Sequence, residues 1–65
     1  MTHAQRRVFS VLTATPQTPA EIKRRLPGRV PVATIRRLLV ELERDNDAAR
    51  AIHDKHPGIT AWVQV

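Results

Sequence analysis

The segment TPAEIKRRLPG at residues 18–28 predicts a helix of barely two turns with both of its ends marked. Thr18 and Glu21 have the pattern of a capping box, in which each side chain satisfies a free backbone N–H at the start of a helix. Pro19 suits the first helical position, where no N–H donor is needed, and the Pro-Gly pair ends the helix. Ile22 lies on the inward side, so we expect a short packed helix followed by a turn.

A longer helix is predicted in VPVATIRRLLVELERDN, residues 30–46. Its apolar side chains recur at the i, i+3, i+4, i+7 spacing of a helix packed on a core: Ile35, Leu38, Leu39 and Leu42. A turn of about 100° per residue places four other side chains farthest from that core: Ala33, Arg37, Val40 and Arg44. Thr34 and Arg36 flank this outward face. Pro31 fits at or near the first helical position, and Asn46 tolerates the left-handed conformation that follows many helices.

The beginning of the chain, THAQRRVFSVLTA, predicts the first of the helices. Thr2 and Gln5 have the form of another capping box. Pro16 ends this helix because proline lacks an N–H and restricts the preceding residue to extended conformations. A broad apolar face follows the cap: Val8, Phe9, Val11 and Leu12. The expected core joins side chains from the second helix, the turn and the third helix: Ile22, Leu26, Val30, Ile35, Leu38 and Leu42.

The last residues, ITAWVQV at 59–65, alternate with the period of a half-buried strand. The alternation predicts an inward face: Ile59, Ala61, Val63 and Val65. Residues 48–52, AARAI, give a weaker strand signal because alanine prefers helices, and a Pro-Gly turn between the two segments predicts an antiparallel hairpin. Trp62 falls on the other face. We expect it to pack on the helices because a small chain needs its buried area; the alternative is partial exposure and contact with DNA or a protein.

Composition narrows the classes of partner and compartment. The chain has 65 residues, one small domain at most. Eleven Lys and Arg against six Asp and Glu give a net charge of +5, which favours a polyanionic partner, nucleic acid before a membrane surface. The chain lacks cysteine, so disulfides and thiolate metal sites are excluded. No apolar run approaches the ~18 residues of a membrane span, and no signal-peptide pattern opens the chain. We therefore expect a cytoplasmic protein.

Catalytic and metal-binding chemistry has little support in the sequence. The segment HDKH offers His53, Asp54 and His56, but it lacks a convincing fourth ligand, so a solvated turn is favoured over a metal site. No pairing of a nucleophile with a base, no phosphate-cradling glycine loop and no carboxylate pair has a credible catalytic setting. We expect neither a cofactor nor an enzyme.

The order of elements resembles the winged helix-turn-helix superfamily of DNA-binding proteins over nearly the whole chain. The segments on which the resemblance rests are TPAEIKRRL as second helix, PGRV as turn, PVATIRRLLVELERDN as third helix and ARAIHDKHPGITAWVQV as wing. The chain departs from many members in having Asn46 and Asp47, where they have Gly and an apolar residue. It also has Arg36 and Val40 where the branch that binds Z-form nucleic acid has Asn and Tyr. The resemblance implies an α+β fold whose third helix enters the major groove of DNA, while the hairpin contacts an adjacent groove or the phosphate backbone of the DNA.

The expected function is sequence-specific binding of duplex DNA by a small transcriptional regulator. Arginine suits a bidentate contact with guanine, and apolar groups contact the thymine methyl. The candidates for the groove are Ala33, Thr34, Arg36, Arg37 and Val40. The candidates for phosphate contacts, which position a protein without reading sequence, are Lys23, Arg24, Arg25, Arg29 and Lys55. For each of them a solvated surface position is the ordinary alternative.

A single module of this size offers little interface, so a homodimer or a larger assembly is expected. One alternative function is a protein-interaction module of the same fold, in which Val40, Trp62 or the first helix contacts another protein. Another is a DNA-binding accessory factor in recombination.

Overall fold

A computed structural model describes all residues, 1–65, as three α-helices followed by a two-stranded antiparallel sheet. The elements are α1 His3–Val11, α2 Pro19–Arg25, α3 Val32–Arg44, β1 Ala48–Ile52 and β2 Thr60–Gln64. The predicted fold class, α+β with three helices before a hairpin, is confirmed. None of the helices has the length and apolar character that crossing a membrane requires.

The helix ends follow the predicted capping signals closely. In the first capping box the Gln5 N–H donates to Thr2 Oγ1 at 3.1 Å, and the Thr2 N–H donates to Gln5 Oε1 at 2.9 Å. The second box repeats this arrangement between Thr18 and Glu21, at 3.3 and 2.8 Å. Asn46, just beyond α3, has a φ of 61°. The left-handed position predicted for it is therefore confirmed.

Helix α1 ends earlier than the sequence predicts because the chain leaves it to join the sheet. Leu12 already has an extended backbone. The N–H of Gln64 donates to the carbonyl of Thr13 at 2.8 Å, and Gln17 and Trp62 exchange backbone hydrogen bonds of 3.1 and 2.8 Å. Strand β2 therefore lies between β1 and the extended segment that precedes α2, an arrangement that the sequence did not indicate.

The core gathers apolar side chains from every helix and from the hairpin. Its buried members are Val8, Leu12, Ile22, Leu26, Ile35, Leu38, Leu39, Leu42, Ala48 and Trp62. Five of the six predicted core residues are among them. The sixth, Val30, is half-buried and packs against the cluster from the turn between α2 and α3.

The inward face predicted for the last strand is correct for Ala61, which is fully buried, and wrong for Ile59 and Val65, which are exposed. In the β1–β2 ladder Arg50 pairs with Trp62 and Ala48 with Gln64, and it is the Trp62 side that packs on the helices, with the indole only 3% exposed. Ile59, predicted to be inward, is 49% exposed at the start of the strand. The large indole removes more apolar area from water than the smaller side chains opposite it. The expected packing of Trp62 is thus confirmed.

Candidate nucleic-acid interface

The solvent side of α3 is predominantly basic. Ala33, Arg36, Arg37 and Arg44 are all exposed, whereas the apolar stripe on the other side of the helix is buried. Because the stripe fixes the rotation of the helix about its own axis, these side chains are directed away from the core. The structure therefore presents an alanine and three arginines along one helix.

Val40 does not belong to that open surface, which corrects its predicted position farthest from the core. It is half-buried and packs against the core cluster. The hairpin closes over this side of α3, so Val40 lies in a groove between the helix and the hairpin. The residues that line the groove are Pro19, Arg36, Val40, Arg50, Gly58, Ile59, Thr60 and Trp62. Arg36 and Val40 thus line the same groove.

Thr34 lies on the opposite flank of α3, apart from that groove. It is half-buried and lines a small apolar cleft between α1 and α3, together with Ala4, Val8 and Leu38. The cleft is also lined by Arg7 of α1, by Leu26 at the end of α2 and by Val30 in the turn that follows. Thr34 and Arg36 therefore lie on opposite flanks of the outward face, as predicted, but Thr34 is half-buried and only Arg36 lines the groove.

Arg37 is exposed but held by a weak network at the surface. Its Nη1 lies 3.3 Å from Glu41 Oε2, one helical turn farther along, and the arginine side chain is 65% exposed. The other oxygen of Glu41 accepts a hydrogen bond from Gln5 Nε2 at 2.7 Å, which links α1 to α3. An exposed pair of this kind contributes only ~0–1 kcal/mol. The guanidinium can therefore exchange its partner for a ligand at little cost.

The predicted phosphate-contact residues divide into groups. Arg24, Arg25 and Lys55 line one pocket between α2 and the hairpin turn. Lys23 is exposed but donates from Nζ to the carbonyl of Val30 at 2.8 Å, so it braces the turn before α3. Arg29 is exposed in that turn and lines neither the pocket nor the groove. The structure brings together three of the five predicted residues.

His53 has a structural position in the same pocket. Its Nδ1 accepts hydrogen bonds from the backbone N–H groups of Lys55 and His56, at 3.0 and 3.2 Å. Its Nε2 lies 2.9 Å from Glu21 Oε1. Because Nδ1 is an acceptor, the proton belongs on Nε2, which donates to the carboxylate. Nδ1 therefore fixes the imidazole within the hairpin turn, and Nε2 joins that turn to α2.

The charge on Glu21 is stabilised where α2 begins. The hydrogen bond from the Thr18 backbone N–H lowers the pKa of the Glu21 carboxyl below its ordinary value of 4.5, desolvation opposes this shift, and His53 adds to the lowering. The anion thus caps α2 and accepts from the hairpin turn at the same time.

Arg50, which is not among the residues predicted from sequence, contacts both α3 and β2 in the groove. Its Nε and Nη2 donate to the two oxygens of Glu43, at 3.0 and 3.3 Å. Its Cζ lies 4.9 Å from the centroid of the Trp62 ring. The available signal was an arginine in the middle of the otherwise apolar AARAI, where a charge needs a partner.

Most of the basic side chains remain without an acidic partner. Of the eleven lysines and arginines, only Arg37 and Arg50 form ion pairs. The excess positive charge is therefore not neutralised by contacts inside the chain, and it is available to an anionic ligand.

No protein-family model matches the chain, and no curated protein matches it in sequence.

Proposed function

We propose that the chain binds duplex DNA as a small transcriptional regulator of the winged helix-turn-helix type, with α3 in the major groove and the hairpin as wing. The observation that carries the proposal is the solvent side of α3, where Arg36 and Arg44 have no acidic partner and Arg37 has only an exposed one. The element order supports the superfamily assignment, and a cytoplasmic location belongs to the same proposal.

The residues proposed to contact base edges lie in α3 between Ala33 and Val40. Arg36 is placed between the helix and the hairpin, and Arg37 lies on the open side. A guanidinium can donate two parallel hydrogen bonds to guanine O6 and N7. Ala33 lets the helix backbone approach closely, and the exposed edge of Val40 offers a smaller apolar contact than its helical position alone suggested.

Phosphate contacts are assigned to the basic side chains around the α2 pocket. Arg24 and Arg25 come from α2 and Lys55 from the hairpin turn, so a phosphate bound there touches two elements. Lys23 retains two donors beyond the one that it gives to the Val30 carbonyl, and Arg29 has no acidic partner. These contacts would position the chain on the duplex without reading its sequence.

Fluorescence anisotropy with selected and scrambled duplexes, at several salt concentrations, tests the proposal. Arg36→Ala should weaken binding to a selected site by ~1–3 kcal/mol and flatten the preference. Arg24→Ala should weaken all duplexes and make the slope of log K against log salt shallower by about 0.9, since one phosphate contact is lost. Arg6→Ala is the matched control, because Arg6 is exposed on α1 and lines neither the pocket nor the groove.

Two results would contradict the proposal. One is that the wild-type chain fails to bind duplex DNA at low salt. The other is that Arg6→Ala reduces affinity as much as Arg36→Ala does, because binding would then follow total charge rather than the α3 surface.

A second candidate function is contact with another protein through the free end of the hairpin. Ile52 is 75% exposed there, and Ile59 is also exposed beside it. Of the contacts predicted for this function, those through Val40 and Trp62 lose support because Val40 is half-buried and Trp62 is buried. Contact through the first helix stays a prediction. A homodimer is one form of this function. Sedimentation equilibrium of the wild type and of Ile52→Asp decides the point: a self-associating hairpin end predicts a dimer that the substitution disrupts.

A further inference from the structure

We propose that Arg50 is a positioning residue that holds the hairpin against α3, so that the two elements meet duplex DNA as one rigid unit. This inference rests on the proposed DNA-binding function and adds to it the residue that sets the geometry of the groove. Arg50 lies in the middle of β1 and pairs with Trp62 across the ladder.

The side chain of Arg50 connects three elements. Its two hydrogen bonds, 3.0 and 3.3 Å, reach Glu43 near the end of α3. Its guanidinium also lies over the ring of Trp62 in β2, 4.9 Å from the centroid. Trp62 is itself fixed, since the ring is buried and its backbone exchanges hydrogen bonds with Gln17 on the other side. Movement of the hairpin relative to α3 would break the contact of Arg50 with Glu43, while the contact with Trp62 lies within the hairpin and holds the guanidinium in place.

The two hydrogen bonds that Arg50 donates to Glu43 are the only side-chain hydrogen bonds that join α3 to the hairpin. The remaining contact between them is apolar packing, chiefly of Ala48 and Trp62 in the core cluster. Apolar packing is not directional, whereas a bidentate pair fixes the orientation of both partners. Arg50 therefore contributes the directional restraint on the groove that Arg36 and Val40 share.

Arg50 is also poorly suited to be a phosphate contact in this arrangement. Two of its donors point at the Glu43 carboxylate, and the charge of that carboxylate offsets its own. Arg36 in the same groove has no acidic partner. In this arrangement Arg36 contacts the ligand, and Arg50 holds α3 and the hairpin at a fixed spacing.

A restraint of this kind matters for a rigid ligand and little for a flexible one. Duplex DNA presents its groove and backbone at a fixed spacing, so α3 and the hairpin must be held at a matching spacing. A single strand can adjust its backbone to either arrangement. The role of Arg50 should therefore be visible with duplex and absent with a single strand of the same sequence.

The test compares Arg50→Gln, Arg50→Lys and Glu43→Gln with the control Asp45→Asn. Glu43→Gln and Asp45→Asn each remove one negative charge near the end of α3, but Asp45 has no ion-pair partner. Anisotropy is measured with a 20-base-pair duplex and with one of its strands across a salt series. The fluorescence of Trp62, the only tryptophan, reports release of the guanidinium from the ring, and thermal melts confirm that each variant is folded.

The proposal predicts that Glu43→Gln weakens duplex binding about fivefold, although it makes the chain more positive, while Asp45→Asn leaves binding unchanged or tightens it. Arg50→Gln and Arg50→Lys should show a similar loss, because lysine cannot form the bidentate pair. The salt slope should stay at the wild-type value, single-strand binding should be unaltered, and the Trp62 emission should change in all three variants.

A different pattern would overturn the proposal. If Arg50→Gln makes the salt slope shallower by about 0.9, Arg50→Lys restores it, and Glu43→Gln tightens binding as Asp45→Asn does, then Arg50 is a phosphate ligand. If the wild-type chain binds no duplex, the proposed function fails together with this inference. Wild-type binding that none of the Arg50 or Glu43 variants alters defeats the inference alone.

Discussion

Two adjacent leucines of α3 should differ in how much stability they contribute. Leu39 is fully buried, so Leu39→Ala leaves a closed cavity among core side chains. Leu38 lines the small cleft between α1 and α3, so the space left by Leu38→Ala joins an existing opening and can be filled by relaxation or by water. Because the cost of a shortened side chain depends on the cavity that remains, we expect ~3–5 kcal/mol for Leu39→Ala and ~2–3 kcal/mol for Leu38→Ala.

These losses are large for a chain of this length. At about 0.05–0.15 kcal/mol per residue, 65 residues correspond to a total stability of roughly 3–10 kcal/mol. Each kcal/mol lowers the melting temperature of so small a domain by about 4–8 °C. Leu39→Ala should therefore melt at least about 12 °C below the wild type, and it approaches the point at which the folded state is no longer dominant at 25 °C.

Urea unfolding followed by circular dichroism measures both variants against the wild type. Leu39→Val, which removes less of the side chain, serves as a milder variant if Leu39→Ala does not fold. Equal losses at the two positions, or a larger loss for Leu38→Ala, would show that the α1–α3 cleft does not relieve the cavity. An unchanged midpoint for either alanine variant would mean that the apolar stripe of α3 does not face the core.

Three further predictions concern the element boundaries. Thr18→Ala removes the buried half of the second capping box and should cost ~1–2 kcal/mol in urea unfolding, whereas Thr18→Ser should cost much less. Because the pKa of Glu21 is lowered in the folded chain, its charge stabilises the fold above pH 4.5, and this contribution is lost as the pH falls through the lower folded value. Glu21→Gln, which can still form a capping box, should flatten that acid dependence in unfolding measured from pH 7 to pH 3. Asn46→Gly should stabilise the chain and Asn46→Ala should destabilise it by ~1 kcal/mol in thermal melts, because the φ of this position is positive.

The features that could be predicted from sequence are those encoded within a few residues. Both capping boxes and the left-handed Asn46 depend on short-range hydrogen bonds and backbone preferences, and all are present. The stripe of α3 is equally local, because helical geometry alone converts its spacing into a buried face. The hairpin was located by its period and its turn residues, although its first strand is rich in alanine.

The features that could not be predicted depend on distant partners. Gln17 pairs with Trp62 through the backbone, and two extended residues between prolines carry no periodic pattern that would reveal it. The alternation of β2 predicts burial of Ile59 and Val65 together with Ala61, but the indole of Trp62 is buried instead of these two side chains. The contact of Arg50 with Glu43 joins a strand to a helix, and nothing in either segment alone specifies that they meet.

Val40 shows why a helical projection is insufficient to define a binding surface. The projection measures only the angle from the stripe of α3, and by that measure Val40 is as remote from the core as the arginines around it. The hairpin then covers one flank of the helix, so Val40 becomes half-buried while Arg36, on the same flank, remains exposed. The position of Val40 among arginines is therefore explained by its packing beneath the hairpin, and no ligand is needed to account for it. Val40 forms part of the floor beneath the hairpin, and the arginines that remain exposed around it are the residues from which a DNA surface can be built.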